Sequence, residues 1–180
     1  MAVFIALLRG INVGGNNKIS MAELKRVLLA AGFERVQTYI QSGNVLFESD
    51  KDAESLRSQF QAEVKSAFGI ACSVLLRTHE EWKQIIAACP YDPIELQEKW
   101  TIQLTLLDEQ LPQAKRDMLQ AVNPGPDEYC VDDRRIYFLF RQSMLDTNYA
   151  PCLQKLGTGS TTRNWNTVRK LNDMATAMQG

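Results

Sequence analysis

The sequence predicts an α+β protein made of two successive β-α-β-β-α halves. Three observations carry that expectation: a continuous apolar run at residues 3–8, hairpin signals at Ser42-Gly43-Asn44 and Asp132-Asp133, and a restart of the same order after "PYDPIELQE". That connector, with its two prolines, marks the break between the halves.

In the first half, residues 3–8 read as a strand buried on both faces, since no polar residue alternates with the apolar ones. A helix follows, with Ser20 as N-cap and Glu23 three residues on, the pattern of a capping box. Its apolar stripe is Leu24, Val27, Leu28 and Ala31, and Gly32 is a left-handed stop. "RVQTYIQSGNVLFES" gives two β-rich runs around a hairpin turn. The next helix carries Leu56, Phe60, Val64, Ala67 and Phe68 on one side and closes at Gly69. "IACSVLLRT" alternates Ile70, Cys72, Val74 and Leu76 as a strand. The order β-α-β-β-α-β is the ferredoxin-like plan. A third helix opens on a second capping box, Thr78 with Glu81, carries Trp82, Ile85 and Ile86, and ends at Cys89-Pro90.

In the second half, "WTIQLTLLD" is a strand, Pro112 fits the first turn of a helix through Val122, and "NPGPDE" breaks it. "YCVDDRRIYFLF" is a hairpin, and Ser143 to Leu156 reads as a helix ended by Gly157. A last helix is expected from about Thr162, where the first half has a strand, so the second subdomain's fourth strand is left open. The expected division is a subdomain at 1–78, a helix and linker at 79–99, and a second subdomain with its C-terminal helix at 100–180.

Bulk composition narrows the function classes. The chain has 180 residues, 45% hydrophobic and 23% charged, with a formal net charge of −1. That balance gives no basic excess for nucleic acid or an anionic membrane. Cys72, Cys89, Cys130 and Cys152 are far apart and form no C-x-x-C pair. "AVFIALL" has no basic residue before it and is interrupted by Arg9, so it reads as neither a signal peptide nor a membrane span. The expectation is a cytoplasmic protein with reduced thiols.

The stretch "RGINVGGNNKIS" raises the first functional question. Gly14 and Gly15 allow close approach of the backbone to a ligand, Arg9 and Lys18 offer charge, and the following helix directs its free N–H groups at the loop. It is not a Walker motif, because Asn16-Asn17 separate Gly15 from Lys18. The alternative is a strand-to-helix connection in which Asn and Gly supply left-handed conformations. "QSGN" is accounted for as a hairpin turn. In "TTRNWNTVRKL", Thr162 caps the expected helix and Trp165, Val168 and Leu171 form its stripe. That reading sets Arg163 and Asn164 in the first turn, where a cation opposes the helix dipole. His79, the only histidine, is expected in a solvated or capping role. No cluster has metal-ligand spacing, no G-x-S-x-G elbow is present, and Asp132-Asp133 beside Arg134-Arg135 read as a charged hairpin tip. The strand aromatics Tyr39, Phe47, Tyr137, Phe138 and Phe140 invite comparison with RNA-binding sheets, but the RNP1 pattern is absent and core packing is the default.

"RGINVGGNNKISMAEL", "TYIQSGNVLF" and "TTRNWNTVRKL" together resemble a bacterial family, domain of unknown function 1697, in order and in spacing. The resemblance implies an α+β fold with two ferredoxin-like subdomains, and it brings no activity, cofactor or substrate with it. It groups the two glycine-rich turns with the arginine-bearing segment. The expected function is binding of a small anionic or nucleotide-like ligand by Arg9, Asn12, Gly14, Gly15, Asn16, Lys18, Ser42, Gly43, Asn44, Arg163 and Asn164. No metal or cofactor is expected. A nucleic-acid-binding module and an enzyme with an unidentified catalytic group are the rival classes.

Overall fold

The apolar run becomes β1 (Ala2–Arg9), buried from Val3 to Leu8. The computed structural model describes residues 1–180. Packing divides the chain into one unit of Met1–Ala87 with Arg169–Gly180, and a second of Ala88–Val168.

In the first unit, α1 (Met21–Ala30) starts where Ser20 Oγ accepts the Glu23 N–H at 3.3 Å. Only half of the expected box is used this way, because the Glu23 carboxylate turns to the Arg26 guanidinium, a charged donor, at 3.1 Å. The strands β2 (Glu34–Tyr39) and β3 (Asn44–Ser49) form the hairpin. Then α2 (Ala53–Phe68) runs from an Asp52 cap to Gly69, which is left-handed. β4 (Ser73–Thr78) leads into α3 (His79–Ala87). Here the second capping box is complete: Glu81 Oε2 accepts the Thr78 N–H at 2.7 Å, and Thr78 Oγ1 accepts the Glu81 N–H at 3.2 Å. The sheet order is β2-β3-β1-β4, antiparallel throughout.

One face of β1 (Phe4, Ala6, Leu8) joins Leu24, Leu28, Phe60 and Val64 in a core under α1 and α2. Phe33 meets Phe47 and Phe60 edge-on, with ring centroids 4.9 and 5.7 Å apart. The other face (Val3, Ile5, Leu7) is buried too, and α3 packs on β1 and β4.

The second unit repeats the order with β5 (Thr101–Leu107), α4 (Gln113–Gln120), β6 (Glu128–Asp132), β7 (Arg135–Phe140), α5 (Ala150–Lys155) and β8 (Ser160–Asn164). Its sheet order, β6-β7-β5-β8, matches that of the first. Two expectations are corrected here. The helix expected from Ser143 begins only at Ala150. Residues 141–149 are held as turns by Asp127, a buried carboxylate that accepts from the Arg141 N–H, Gln142 Nε2 and Thr147 Oγ1 at 2.7–2.8 Å. Pro151, lacking an N–H, suits the first turn of the shortened helix.

The helix expected from Thr162 begins at Trp165 instead, as α6 (Trp165–Gln179). Residues 160–164 are the fourth strand, paired with β5, and Thr105 Oγ1 lies 2.7 Å from Thr162 Oγ1 across the pair. β-branched threonines suit a strand, and a paired β5 edge decides the matter. In chain order each half is therefore β-α-β-β-α-β followed by one more helix, α3 after the first and α6 after the second, although α6 from Arg169 onward packs into the first unit. The expected stripe of α6 is correct: Trp165, Val168 and Leu171 are buried, as are Ala175 and Met178.

Candidate functional site

The β1–α1 loop is a closed structure in its own right. Gly10, Asn12, Gly14, Gly15 and Asn17 all have positive φ. Gly14 (φ 58°) and Gly15 (φ 79°) make a tight reversal between Val13 and Asn16, which bridge each other. Left-handed backbone at both centres is why glycines stand there. Asn12 N–H donates to Asn17 O at 3.1 Å, and Asn17 Nδ2 donates to Gly10 O at 2.8 Å, closing the base. Buried Ile11 and Ile19 anchor the ends, while residues 13–18 are exposed.

Asn12 joins this loop to the hairpin turn. Its Nδ2 donates to Ile19 O at 3.0 Å and to Gln41 O at 2.7 Å, and its Oδ1 accepts the Ile19 N–H at 2.8 Å. The turn approaches from its own side through Gly43, whose carbonyl accepts the Leu8 N–H at 2.8 Å. A Cβ on Gly43 would lie 2.9 Å from Leu8 Cβ and 3.0 Å from Ile11 Cδ1, so only glycine fits. Asn44, fully buried, donates from Nδ2 to Tyr39 O at 3.0 Å and to Ser42 Oγ at 2.9 Å. Ile40 is held at φ 49° between them, an unusual conformation for a β-branched residue.

These bonds hold the loop that carries Asn12, Gly14, Gly15, Asn16 and Lys18 against the turn that carries Ser42 and Gly43; Arg9 ends β1 and Asn44 begins β3. They also sort the residues. Asn12 and Asn44 fix the loops through bonds inside the protein, whereas Gly14, Gly15, Asn16 and Lys18 are exposed at the tip. Arg9 is half-buried at the end of β1.

Arg163 and Asn164 belong to the second unit and lie on β8, not in a helix's first turn. Arg163 Nη1 donates to Thr161 Oγ1 at 2.8 Å and to Thr162 O at 2.9 Å. Burial pushes its pKa down to about 10, so it remains a cation at neutral pH. The cap of α6 is Asn164, whose Oδ1 accepts the Thr167 N–H at 2.9 Å.

His79 departs from the solvated role. It is 1% exposed, with Nδ1 2.9 Å from Gln179 Oε1 and Nε2 3.1 Å from Asn172 Oδ1. The ring thereby joins the start of α3 to the C-terminal helix, an arrangement no local sequence signal announces. Phe47, Tyr137, Phe138 and Phe140 are fully buried, which leaves them unavailable for stacking on bases. No group of three His, Cys, Asp or Glu side chains could hold a metal ion. No helix is long and apolar enough to cross a membrane.

The comparisons with known proteins bear on this geometry. The solved structure of conserved bacterial protein SP0830 from Streptococcus pneumoniae superposes with a TM-score of 0.81, over 97% of this chain and 98% of that one, at 24% identity. At that identity the likeness shows the fold alone. No curated protein matches the chain. The family model described as "Protein of unknown function (DUF1697)" matches residues 1–137. That match spans both glycine-rich loops and takes in most of the chain, which therefore belongs to the DUF1697 family.

Proposed function

We propose that the paired loops 10–18 and 40–43 bind a small anionic ligand of phosphate or nucleotide type. The observation that carries this reading is the rigid presentation of an exposed Gly14-Gly15 main chain beside Lys18, fixed from beneath by Asn12 and Asn17. Left-handed non-glycine residues cost about 1–3 kcal/mol each when unfavourable, and such outliers gather at ligand clamps. Ile40, β-branched at φ 49°, is such an outlier here, whereas Asn12 and Asn17 adopt this conformation at little cost. Lys18 is the ammonium donor, and Arg9 adds positive charge at the base of the loop.

Calorimetric titration with inorganic phosphate, pyrophosphate and adenosine monophosphate tests the reading. Lys18→Ala should weaken the best of these by about ten- to hundredfold, since a hydrogen bond to a charged group contributes ~1.5–3 kcal/mol. Arg9→Ala should act in the same direction, and added salt should weaken binding, because exposed charges are screened beyond ~10 Å at 0.1 M. Unchanged affinity in both variants, or no saturation by any of the three anions, would make the loop a connector only.

A further inference from the structure

The second unit has a cavity at the matching place in its own repeat, where β5 gives way to α4. Its volume is about 250 Å³. In the first unit an eleven-residue link separates β1 from α1 and closes on itself; between β5 and α4 only residues 108–112 intervene. The space beside this short link is lined on its apolar side by Leu107, Leu111 and Leu156. Its polar lining has both signs of charge, from Asp108, Glu109 and Lys115.

Lys115 is the informative residue. It stands in the first turn of α4, where a cation is unfavourable against the helix dipole. That turn contains no acidic residue, and the helix start at Pro112 has no side-chain cap. The ammonium donates to the Lys155 carbonyl, which occupies one of its three N–H groups. An anionic group entering the cavity would complement both the lysine and the start of the helix. A cationic group would be complemented by the two carboxylates, and an aliphatic body by the three leucines.

We infer that this cavity takes a small aliphatic α-amino acid, its ammonium toward Asp108 and Glu109 and its carboxylate toward Lys115. An aliphatic α-amino acid carries all three kinds of group that this lining complements, on one small molecule. The site is separate from the loop pair of the first unit, and its test is separate too.

The experiment is calorimetric titration of the full chain with L-leucine, with isopentylamine, which lacks the carboxylate, and with 4-methylpentanoate, which lacks the ammonium. Leucine should saturate one site, and each single-headed analogue should bind at least about tenfold more weakly, as loss of a charge-assisted hydrogen bond requires. Lys115→Met and Asp108→Asn should each weaken leucine binding by a similar factor. Gly159→Ala is the variant that keeps the fold: its Cβ would sit 3.5 Å from Asp108 Oδ2, an ordinary contact, while narrowing the cavity. It should lower leucine affinity without changing the urea midpoint downward. Lys18→Ala should leave leucine binding unchanged. Absence of saturation by leucine, equal binding of isopentylamine, or unaltered affinity in both Lys115→Met and Gly159→Ala would overturn the inference.

Discussion

Asn12 Nδ2 lies 2.7 Å from the carbonyl oxygen of Gln41, twenty-nine residues away in the chain. This contact holds the β1–α1 loop against the β2–β3 turn, so the two glycine-rich segments behave as one structural piece. The same side chain binds both main-chain groups of Ile19. Asn12 thus fixes the base of the loop that carries Lys18.

Asn12→Ala should therefore lose stability where Asn16→Ala does not. Three hydrogen bonds are removed and the Ile19 N–H is left without its acceptor, a loss of about 1.5–4 kcal/mol in total. Asn16 is exposed at the tip, and its alanine variant should fall within about 0.5 kcal/mol of the parent. Urea unfolding of the two variants checks this. Equal midpoints would mean that Asn12 does not hold the loops together.

Glycine substitutions should separate packing from backbone conformation. Gly14→Ala meets open space, so its cost is the left-handed conformation alone, about 1–2 kcal/mol. Gly43→Ala carries that cost and a collision with Leu8 Cβ, a point close to the strand backbone that cannot swing aside. Overpacking adds about 1–3 kcal/mol. Thermal unfolding should therefore rank Gly43→Ala well below Gly14→Ala.

Acid sensitivity should include a contribution from the Asp52 cap of α2. Its carboxyl is held below the ordinary range by hydrogen bonds from the Ser55 hydroxyl and then the Ser55 N–H, at 2.7 and 2.9 Å. A depressed carboxyl pKa stabilises the folded state above the unfolded value, and the gain disappears as pH falls through the folded one. Asp52→Asn retains an acceptor for the cap and cannot titrate. Its melting temperature should consequently fall less steeply than that of the parent as pH drops through the carboxylate range. Parallel slopes would assign no acid sensitivity to this cap.

The four thiols are free, and their exposure sets an order of reaction. Cys89 and Cys130 are half-buried, while Cys72 and Cys152 are buried; burial pushes the pKa of both the Cys72 and the Cys89 thiol up, so access and not thiolate fraction separates these two. Alkylation followed by mass spectrometry should modify the half-buried pair first. Cys72 should remain slow until the chain unfolds, because burial denies the reagent access. Prior reduction should not increase the number of labelled sites.

Several elements were legible because their causes lie within a few residues. Ser20 and the Thr78–Glu81 pair act on N–H groups in the adjoining turn, so these two helix starts can be read from the chain. The alternation of Cys72, Val74 and Leu76 likewise predicts which side of β4 enters the core. Two glycine-rich segments could be singled out, and the need for glycine at Gly14 and Gly15 follows from a two-residue reversal.

Other features depend on partners far away in the chain. Ser160–Asn164 has little apolar pattern of its own and becomes a strand because β5, fifty-seven residues earlier at the Thr105–Thr162 contact, offers it a paired edge. His79 is buried because Gln179, a hundred residues on, satisfies its ring. The helix expected from Ser143 is shortened by Asp127, which holds the preceding segment from outside it. By itself the sequence determined the order of the elements as far as β7, the caps of α1 and α3 and most of the buried stripes, since these follow from periodicity and neighbouring groups. Tertiary structure alone decided β8, the burial of His79 and the division of the loop asparagines from the exposed Lys18, because a hydrogen-bond partner distant in the chain leaves no local trace.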